Sequence, residues 1–443
     1  MEESNVFIFC LLYSLIGIIF LIFLLKKSKE FRPTYKGFMF GMLFYYIIIP
    51  IIVLLNVNEL NEIELAKGKY CTYSVQRFII NGNFVDFLYS NFIVTISLLA
   101  FNIFYSISKK IKIRDFNSIK TLKIVKFFAI VTFIIGSFSL ILLFLSFGGI
   151  KNALSYAEYL RSFNNDANEI IGESTIFIIL ARLITVTPFL IVYIIQDTSL
   201  KLVKKQYYKF LLVISFIMSI LYFLFNAGRA PLMAFIICFA YVIIRKRVKR
   251  PWIFIIVICI IALPMLDILD SLFYYFNSKT FDFKEVNYLK YIAQFTVPYK
   301  NTLAMKKIVD TYGLRYFSDF ITAFLDFLPG VYFPASYVNT SEFIVGSNWI
   351  ALGGIPNDFI TFGYIEFSFI GVIILSSILG LFLRIIDMKL SKFKNNDAKY
   401  LFSAILSIYI FLMISSSDII SILKGGWILN TVVIIILLST RKE

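Results

Sequence analysis

The chain has 443 residues, of which 59% are hydrophobic and 18% aromatic, and its formal net charge is +16. A soluble protein of this length needs a polar surface that such a composition cannot supply. The composition therefore excludes a soluble globular protein and predicts a single transmembrane domain over residues 1–443. Because lipid offers the backbone no hydrogen-bond partners, the predicted fold class is an all-α polytopic membrane protein.

Apolar runs long enough to cross a bilayer of about 30 Å predict about eleven spans. The first is not expected to be a cleaved signal, since it has no basic leader and no small-residue cleavage site after it. In chain order the spans are predicted at 5–25, 37–55, 87–108, 127–147, 174–195, 210–226, 229–244, 252–271, 363–383, 400–415 and 426–440.

The charges divide between the two sides of the predicted membrane. In the loops on one side Lys and Arg outnumber Asp and Glu by 28 to 6, whereas the rest of the chain, apart from Arg182 inside a span, holds 14 basic and 21 acidic residues. Because basic loops remain in the cytoplasm, we expect the N-terminus outside and the C-terminus in the cytoplasm. The basic excess then contacts membrane lipids and does not indicate a nucleic-acid partner.

Histidine is absent, and the four cysteines form no useful pattern. Cys10, Cys238 and Cys259 fall in apolar runs, whereas Cys71 stands alone in a predicted external loop, so neither a disulfide nor a metal site is expected. The missing histidine removes the usual general base and the usual metal ligand. Any catalysis is therefore expected to use carboxylates, Arg, Lys, Tyr or hydroxyls, with no cofactor and no metal.

One connection is much longer than the others. Residues 277–362 are predicted to form a large external loop, and its last residues run directly into the ninth span. Within it, apolar residues recur at helical spacing over 317–328. This spacing predicts a helix that lies in the outer interface or packs on neighbouring spans. Chemistry or recognition is most expected on this loop.

Four arginines outside the basic loops are candidates for binding an anion: Arg161, Arg182, Arg229 and Arg315. Arg182 lies inside the fifth span, where a charge normally faces a cavity or a partner. Its alternatives are an intramembrane ion pair and snorkelling to the interface. Arg229 follows Gly228 at the start of a span, where helix-terminal N–H groups also attract anions, and its alternative is an interfacial anchor.

Several motifs occur in order between about residues 150 and 380. They are the spacing of Arg161 and Gly172, the turn Asn226-Ala227-Gly228-Arg229, the sequence Leu328-Pro329-Gly330, and Gly354-Ile355-Pro356 followed by Tyr364 and Gly371. Together they resemble the bacterial O-antigen and capsular polysaccharide polymerases (Wzy-type oligosaccharide repeat-unit polymerases). In that family the corresponding elements are an Arg-x10-Gly spacing, a Gly-Ser-Arg turn and the end of a large external loop.

The chain departs from this family at three points. Thr361-Phe362 stands where many relatives have Gly-Glu, and the histidine of some relatives is missing. A second Arg-x10-Gly spacing is also missing, since Asp326 follows Arg315 by eleven residues. The family's general base therefore cannot be transferred directly to a residue of this chain.

The resemblance implies a glycosyltransferase at the outer face of the bacterial cytoplasmic membrane. Such enzymes move a growing glycan from its polyprenyl-pyrophosphate carrier to a hydroxyl of the next lipid-linked unit. Arginines suit the diphosphates because they are permanently charged and bidentate. Arg161, Arg229 and Arg315 are the candidates for this role, followed by Arg182. The loop-shaping candidates are Gly172, Gly228, Gly354 and Pro356.

A carboxylate suits the base that deprotonates the acceptor hydroxyl. The candidates are Asp358 first, then Glu366 and Asp326, and each has a plain alternative as a loop or helix-capping residue. The implied partners are the lipid-linked donor and acceptor, with a chain-length regulator and a flippase beside them. A GT-C-like membrane architecture fits this activity. A transporter or flippase of lipid-linked oligosaccharide and a ligase-like glycosyltransferase are the alternatives.

Overall fold

A computed structural model describes residues 3–26, 31–56, 59, 84–107, 118–159, 175–196, 202–226, 229–245, 289, 292, 295–325, 336–345, 357–393 and 396–439. The regular structure in these ranges is helical throughout. The helices, numbered in chain order, are α1 (Glu3–Lys26), α2 (Pro33–Leu55), α3 (Phe84–Ile107), α4 (Ser118–Ser146), α5 (Ile150–Tyr159), α6 (Thr175–Ala181, Arg182–Thr185 and Thr187–Ile195), α7 (Leu202–Phe225), α8 (Arg229–Arg245), α9 (Val297–Tyr312), α10 (Ser318–Leu325), α11 (Ser336–Val345), α12 (Phe359–Ser391), α13 (Asn396–Met413), α14 (Ile419–Gly425) and α15 (Trp427–Leu438).

The helices are those of an α-helical membrane protein. Six are long and apolar enough to cross a membrane, namely α2, α3, α4, α6, α7 and α12. Four shorter apolar helices, α1, α8, α13 and α15, coincide with four further predicted spans. The predicted span 252–271 lies outside the described residues, so the count of eleven stays a prediction.

The two ends of the bundle can be defined by their residues. At the upper end α1 begins and α2 ends at Leu55, whereas Lys26 and Pro33 lie at the lower end. The lower end is fixed by Asp387 of α12, which accepts the N–H groups of Thr34 and Tyr35 at 3.0 and 3.2 Å. This carboxylate caps the first turn of α2, which holds the start of α2 against α12.

Two of the long helices are interrupted near their centres. In α2 the segment Phe44–Ile48 is a π-helix, which inserts an extra residue into one turn. In α6 the α-helical hydrogen bonding gives way to a 3-10 turn at Arg182–Thr185, and Pro188 follows. Hydropathy predicts a single continuous apolar span at each of these two positions, so neither interruption is visible from it. Mid-helix departures of this kind often mark functional sites.

The helix α12 contains a chain reversal. Phe367 and Ser368 have non-helical backbone angles, and a Cβ at Gly371 would meet the carbonyl oxygen of Gly363. In a straight helix these two glycines would be about 12 Å apart, since each residue adds 1.5 Å. Residues 359–366 therefore form a short arm that packs antiparallel to residues 369–391. We call this unit the α12 hairpin.

The hairpin corrects the predicted start of the ninth span. The chain does not run directly from residue 358 into a span at 363–383, because residues 363–366 belong to the short arm and the long helix continues to Ser391. The turn lies toward the upper end, where the Tyr364 hydroxyl is 2.9 Å from that of Tyr89 near the start of α3. Apolar residues continue across the turn, so hydropathy cannot detect it.

Helices α9, α10 and α11 come from the predicted loop 277–362. Helix α9 packs against α3 and α12, and Lys307 at its upper part lies 3.5 Å from Asp86. Helix α10 covers Ser318–Leu325 of the predicted helix 317–328, whose last three residues lie outside the described ranges, and Ile321 and Phe324 on it are 67% and 64% exposed. An apolar face is therefore directed away from the bundle, as an interfacial helix requires.

Candidate functional site

The short arm of the α12 hairpin begins at Asp358, level with the centre of α2. Asp358 is fully buried, and its Oδ1 accepts the backbone N–H groups of Ile360 and Thr361, both at 3.1 Å. These bonds make Asp358 the N-cap of the arm. The phenol of Tyr46, from the π-helical segment of α2, donates a third hydrogen bond to the same oxygen.

The second oxygen of Asp358 has a different environment. Oδ2 is buried and accepts no hydrogen bond from the part of the chain that the structure describes. Leaving a buried acceptor unpaired costs about 1–3 kcal/mol, and more if the group is charged. Asp358 precedes the candidate span Phe359–Ser391. Burial raises the pKa of its carboxyl group, and hydrogen bonds from Thr361 and Tyr46 offset part of this rise. The carboxylate is thus held firmly at Oδ1, while Oδ2 is buried without a described hydrogen bond and the hydroxyl of Thr361 lies close to the same carboxyl group.

A hydrogen-bonded network joins this end of the arm to α11. The Asn357 side chain donates to Ser336 Oγ at 2.8 Å and accepts from the Thr340 hydroxyl. Ser336 is the first residue of α11, and its N–H donates to Asp319 Oδ2 at 2.8 Å. The residues 357–358 are therefore fixed by side chains from the preceding segments, which sequence spacing alone could not place together.

The network continues to two of the predicted site residues. Arg315 Nη2 and Nε lie 2.6 and 3.1 Å from Asp319 Oδ1, and 20% of the Arg315 side chain is exposed. The carboxylate of Glu366, at the end of the short arm, lies beside Asp319 and is buried. Asp319 thus brings Arg315 and Glu366 together. The sequence had not indicated Asp319 as a site residue.

Backbone contacts fix the same region. The N–H groups of Arg315 and Tyr316 donate to the carbonyls of Ile365 and Glu366 at 3.0 and 2.7 Å. Tyr316 and Phe317 have φ of 51° and 60°, and Ser368 in the facing turn has φ of 53°. Non-glycine residues in this region carry strain of order 1–3 kcal/mol each, and such strain concentrates at functional sites.

Asp418 adds a fourth carboxylate to the region. It caps α14 by accepting the Ser421 N–H at 2.8 Å, and its Oδ2 is buried with no hydrogen-bond partner among the described residues. Burial raises the pKa of Asp418, and the neighbouring Asp319 raises it further. The adjoining Ser417 N–H donates to the Asn357 carbonyl at 2.8 Å, so the loop before α14 also supports the short arm.

Arg182 lies at the break in α6. Its Nε donates to the Tyr222 hydroxyl at 2.8 Å, and its guanidinium faces Gly425, where a Cβ would stand 3.6 Å from Nη1. These contacts connect α6, α7 and the end of α14. A cation close to the last carbonyls of a helix is electrostatically favourable. The predicted ion pair, snorkelling and diphosphate role of Arg182 stay predictions.

The remaining predicted site residues cannot be located in the same way. Arg229 begins α8, but its side chain lies outside the described part of the chain. Arg161, Gly172, Gly228, Asp326, Gly354 and Pro356 also lie outside the described residues. Their roles stay predictions. In the described ranges, no group of three or more Cys, Asp or Glu side chains is arranged to hold a metal ion.

No protein-family model, curated protein or solved structure matches this chain. The chemistry of the site therefore rests on its own geometry. A buried carboxylate with one oxygen held and the other without a described hydrogen-bond donor can accept a proton from a hydroxyl group in a place shielded from water. Arg315 lies at the opposite end of the short arm from Asp358 and is paired with Asp319.

Proposed function

We propose that the protein polymerises lipid-linked oligosaccharide repeat units. The growing glycan is transferred from polyprenyl pyrophosphate to a hydroxyl of the next lipid-linked unit. The observation that carries this proposal is Asp358, a buried carboxylate with one open oxygen at the start of the α12 hairpin. A base enclosed by apolar helices suits substrates that are themselves anchored in the membrane.

In the proposed step the acceptor oxygen attacks the anomeric carbon of the donor glycan. The bond from that carbon to the diphosphate oxygen breaks, and the diphosphate leaves with the bonding electron pair. The hydroxyl proton passes to Asp358 Oδ2. The leaving group is already activated, so the protein's task is to position the substrates, accept one proton and stabilise the departing charge.

Among the candidate arginines with described side chains, Arg315 is the one we propose to bind the diphosphate. It lies at the turn of the α12 hairpin and is partly exposed, so a diphosphate from the upper end can reach it. Its ion pair with Asp319 aims the guanidinium and also competes with an anionic ligand. Glu366 is the alternative base, because it is buried at the other end of the same arm.

The proposed orientation of the protein in the membrane places the basic loops in the cytoplasm. The upper end of the bundle is then the outer face of the bacterial cytoplasmic membrane, and the C-terminus lies in the cytoplasm. Under this orientation the turn of the α12 hairpin lies toward the outer face, and Asp358 at the start of the short arm lies level with the centre of α2. The apolar face of α10 then lies in the outer interface, close to the isoprenoid chains of the carriers.

A specific observation also favours a second candidate, a transporter or flippase of lipid-linked oligosaccharide. The helices α2 and α6 are interrupted near their centres, and α12 contains a reversal. Discontinuous helices beside charged groups are typical of transporter binding sites. The sequence shows no repeated halves, which such transporters commonly have.

Deletion of the gene in its host distinguishes the two functions. If the protein is the polymerase, surface glycan separated on a gel is reduced to single repeat units. If it is the flippase, no surface glycan of this type remains. An unchanged ladder of chain lengths after deletion contradicts both functions.

A further inference from the structure

Tyr46 is placed against Asp358 by an irregularity of α2. The π-helical turn Phe44–Ile48 adds one residue to the helix, and Tyr45 and Tyr46 are both 1% exposed as a result of packing on the core. The ring of Tyr45 packs against Phe411, with centroids 5.2 Å apart. The hydroxyl of Tyr46 reaches Asp358 instead. The two neighbouring phenols thus have separate partners.

The hydroxyl of Tyr46 donates the third hydrogen bond to Asp358 Oδ1. Asp358 Oδ1 accepts two backbone N–H groups of the short arm, which fix it relative to α12 only. The phenol ties the same oxygen to α2, on the other side of the site. A carboxylate held from two elements has little freedom to rotate, so its other oxygen keeps one direction.

We propose that Tyr46 is a positioning residue that directs Asp358 Oδ2 toward the acceptor hydroxyl. This inference rests on the proposed function for its catalytic consequence. Tyr46 does not contact the reacting atoms, but it fixes the base and stabilises the ionised carboxylate by a hydrogen bond. The role requires the phenolic hydroxyl and not merely an aromatic ring of the same size.

Other titratable groups occur on the elements around this pair. They include Tyr45 on α2, Tyr13 on α1, Tyr299 and Lys300 on α9, Glu366 on the short arm and Asp418 in the loop before α14, all of them buried. The experiment must therefore separate the Tyr46 hydroxyl from a general change in this environment. Tyr45→Phe is the matched control, because it removes a phenolic hydroxyl from the adjacent buried residue.

The kinetic test compares Tyr46→Phe and Tyr45→Phe with the wild-type protein in lipid vesicles that contain a lipid-linked repeat unit. Tyr46→Phe is expected to reduce kcat by roughly 10- to 100-fold with little change in KM, a smaller loss than removal of the base itself would cause. The acid limb of its pH profile should move to higher pH, because the ionised carboxylate loses a hydrogen bond. Equal effects of Tyr45→Phe, or an unmoved acid limb, would overturn the proposal.

A second measurement does not depend on activity. Dicyclohexylcarbodiimide modifies protonated carboxyls in apolar surroundings, and mass spectrometry of the peptide that contains Asp358 gives the labelling at each pH. Tyr46→Phe should raise the midpoint of labelling, whereas Tyr45→Phe should leave it unchanged. If the midpoint rises but the wild-type protein transfers no glycan, the proposed function fails and the positioning contact stands. An unchanged midpoint refutes the contact itself.

If Tyr46→Phe does not fold, 3-fluorotyrosine incorporated at position 46 provides a second test of the contact. The fluorinated phenol retains the ring and is a stronger hydrogen-bond donor. The labelling midpoint of Asp358 should then fall below that of the wild-type protein. A midpoint that stays the same or rises would contradict the proposal.

Discussion

At the scale of single residues, the site is defined by which carboxylate oxygens are paired. Asp358 Oδ1 has three donors, whereas Oδ2 has none among the described residues. Asp319 is paired at both oxygens, with Arg315 and with the Ser336 N–H. A base needs an open oxygen, and a structural acid does not, so these two aspartates have different expected roles.

Asp358→Asn tests the first of these roles. The amide keeps the size of the side chain and one oxygen for the N-cap bonds, but it cannot accept the hydroxyl proton. We expect polymer formation to fall by roughly 100-fold or more, in line with the contribution of a general base. Chain length of the surface glycan and the amount of protein in the membrane measure the effect. Full-length polymer from a normal amount of Asp358→Asn protein would exclude Asp358 as the base.

The activity should also depend on pH through Asp358. A base works when it is ionised, and burial raises the pKa of this carboxyl. Activity is therefore present above the raised pKa and is lost as the pH falls through it, at a higher pH than for an ordinary aspartate. A pH–rate profile of the protein in vesicles measures this limb. A profile that stays flat down to the ordinary range for aspartate would contradict the assignment.

Asp319 and Glu366 provide a matched pair of stability predictions. Asp319→Asn weakens the Arg315 ion pair and should lower the thermal midpoint, because breaking a largely buried pair is strongly destabilising. Glu366→Gln removes one of two adjacent buried carboxylates, so the midpoint should stay the same or rise. Thermal unfolding in detergent compares the two variants. The opposite order would show that Glu366, and not Asp319, is the partner that holds Arg315.

At the scale of elements, the α12 hairpin determines where the site lies. The close approach of Gly371 to Gly363 permits the short arm to pack on the long helix. Gly371→Ala would place a Cβ against a backbone carbonyl that cannot move away easily, which typically costs about 1–3 kcal/mol. We expect a lower thermal midpoint and loss of polymer, measured on the same protein preparation.

Gly425→Ala is the control for this prediction. Its Cβ would stand 3.6 Å from the Arg182 guanidinium, an ordinary van der Waals contact, so the thermal midpoint should change little. If both alanine variants melt at the wild-type temperature, the hairpin does not pack as described.

The elements also show what the sequence could and could not predict. Periodic apolar runs identified the long helices, and the position of Asp358 at the end of the longest loop identified the leading base candidate. The reversal at Phe367-Ser368 could not be predicted, because it contains neither glycine nor proline. The π-helical turn Phe44–Ile48 packs against α1, α9 and Phe411 of α13, and no local sequence pattern records these contacts. Asp319 lies within the predicted helix 317–328, and no sequence pattern indicates that it joins Arg315 to Ser336.

At the scale of the whole molecule, the proposal depends on which end of the bundle faces outward. A single cysteine at Leu55 in a variant without the four native cysteines marks the upper end, and one at Lys26 marks the lower end. A membrane-impermeant maleimide added to intact spheroplasts should label the Leu55→Cys variant and not the Lys26→Cys variant. The reverse result would place the α12 hairpin on the cytoplasmic side and exclude an external polymerase.

The proposed function requires that this protein itself joins lipid-linked repeat units by means of Asp358. The most direct test is the purified protein in lipid vesicles supplied with one polyprenyl-pyrophosphate-linked repeat unit and no other enzyme. We predict a ladder of longer glycans with the wild-type protein and only the single unit with Asp358→Asn. The same ladder from both proteins, or no ladder from the wild-type protein, would contradict the account.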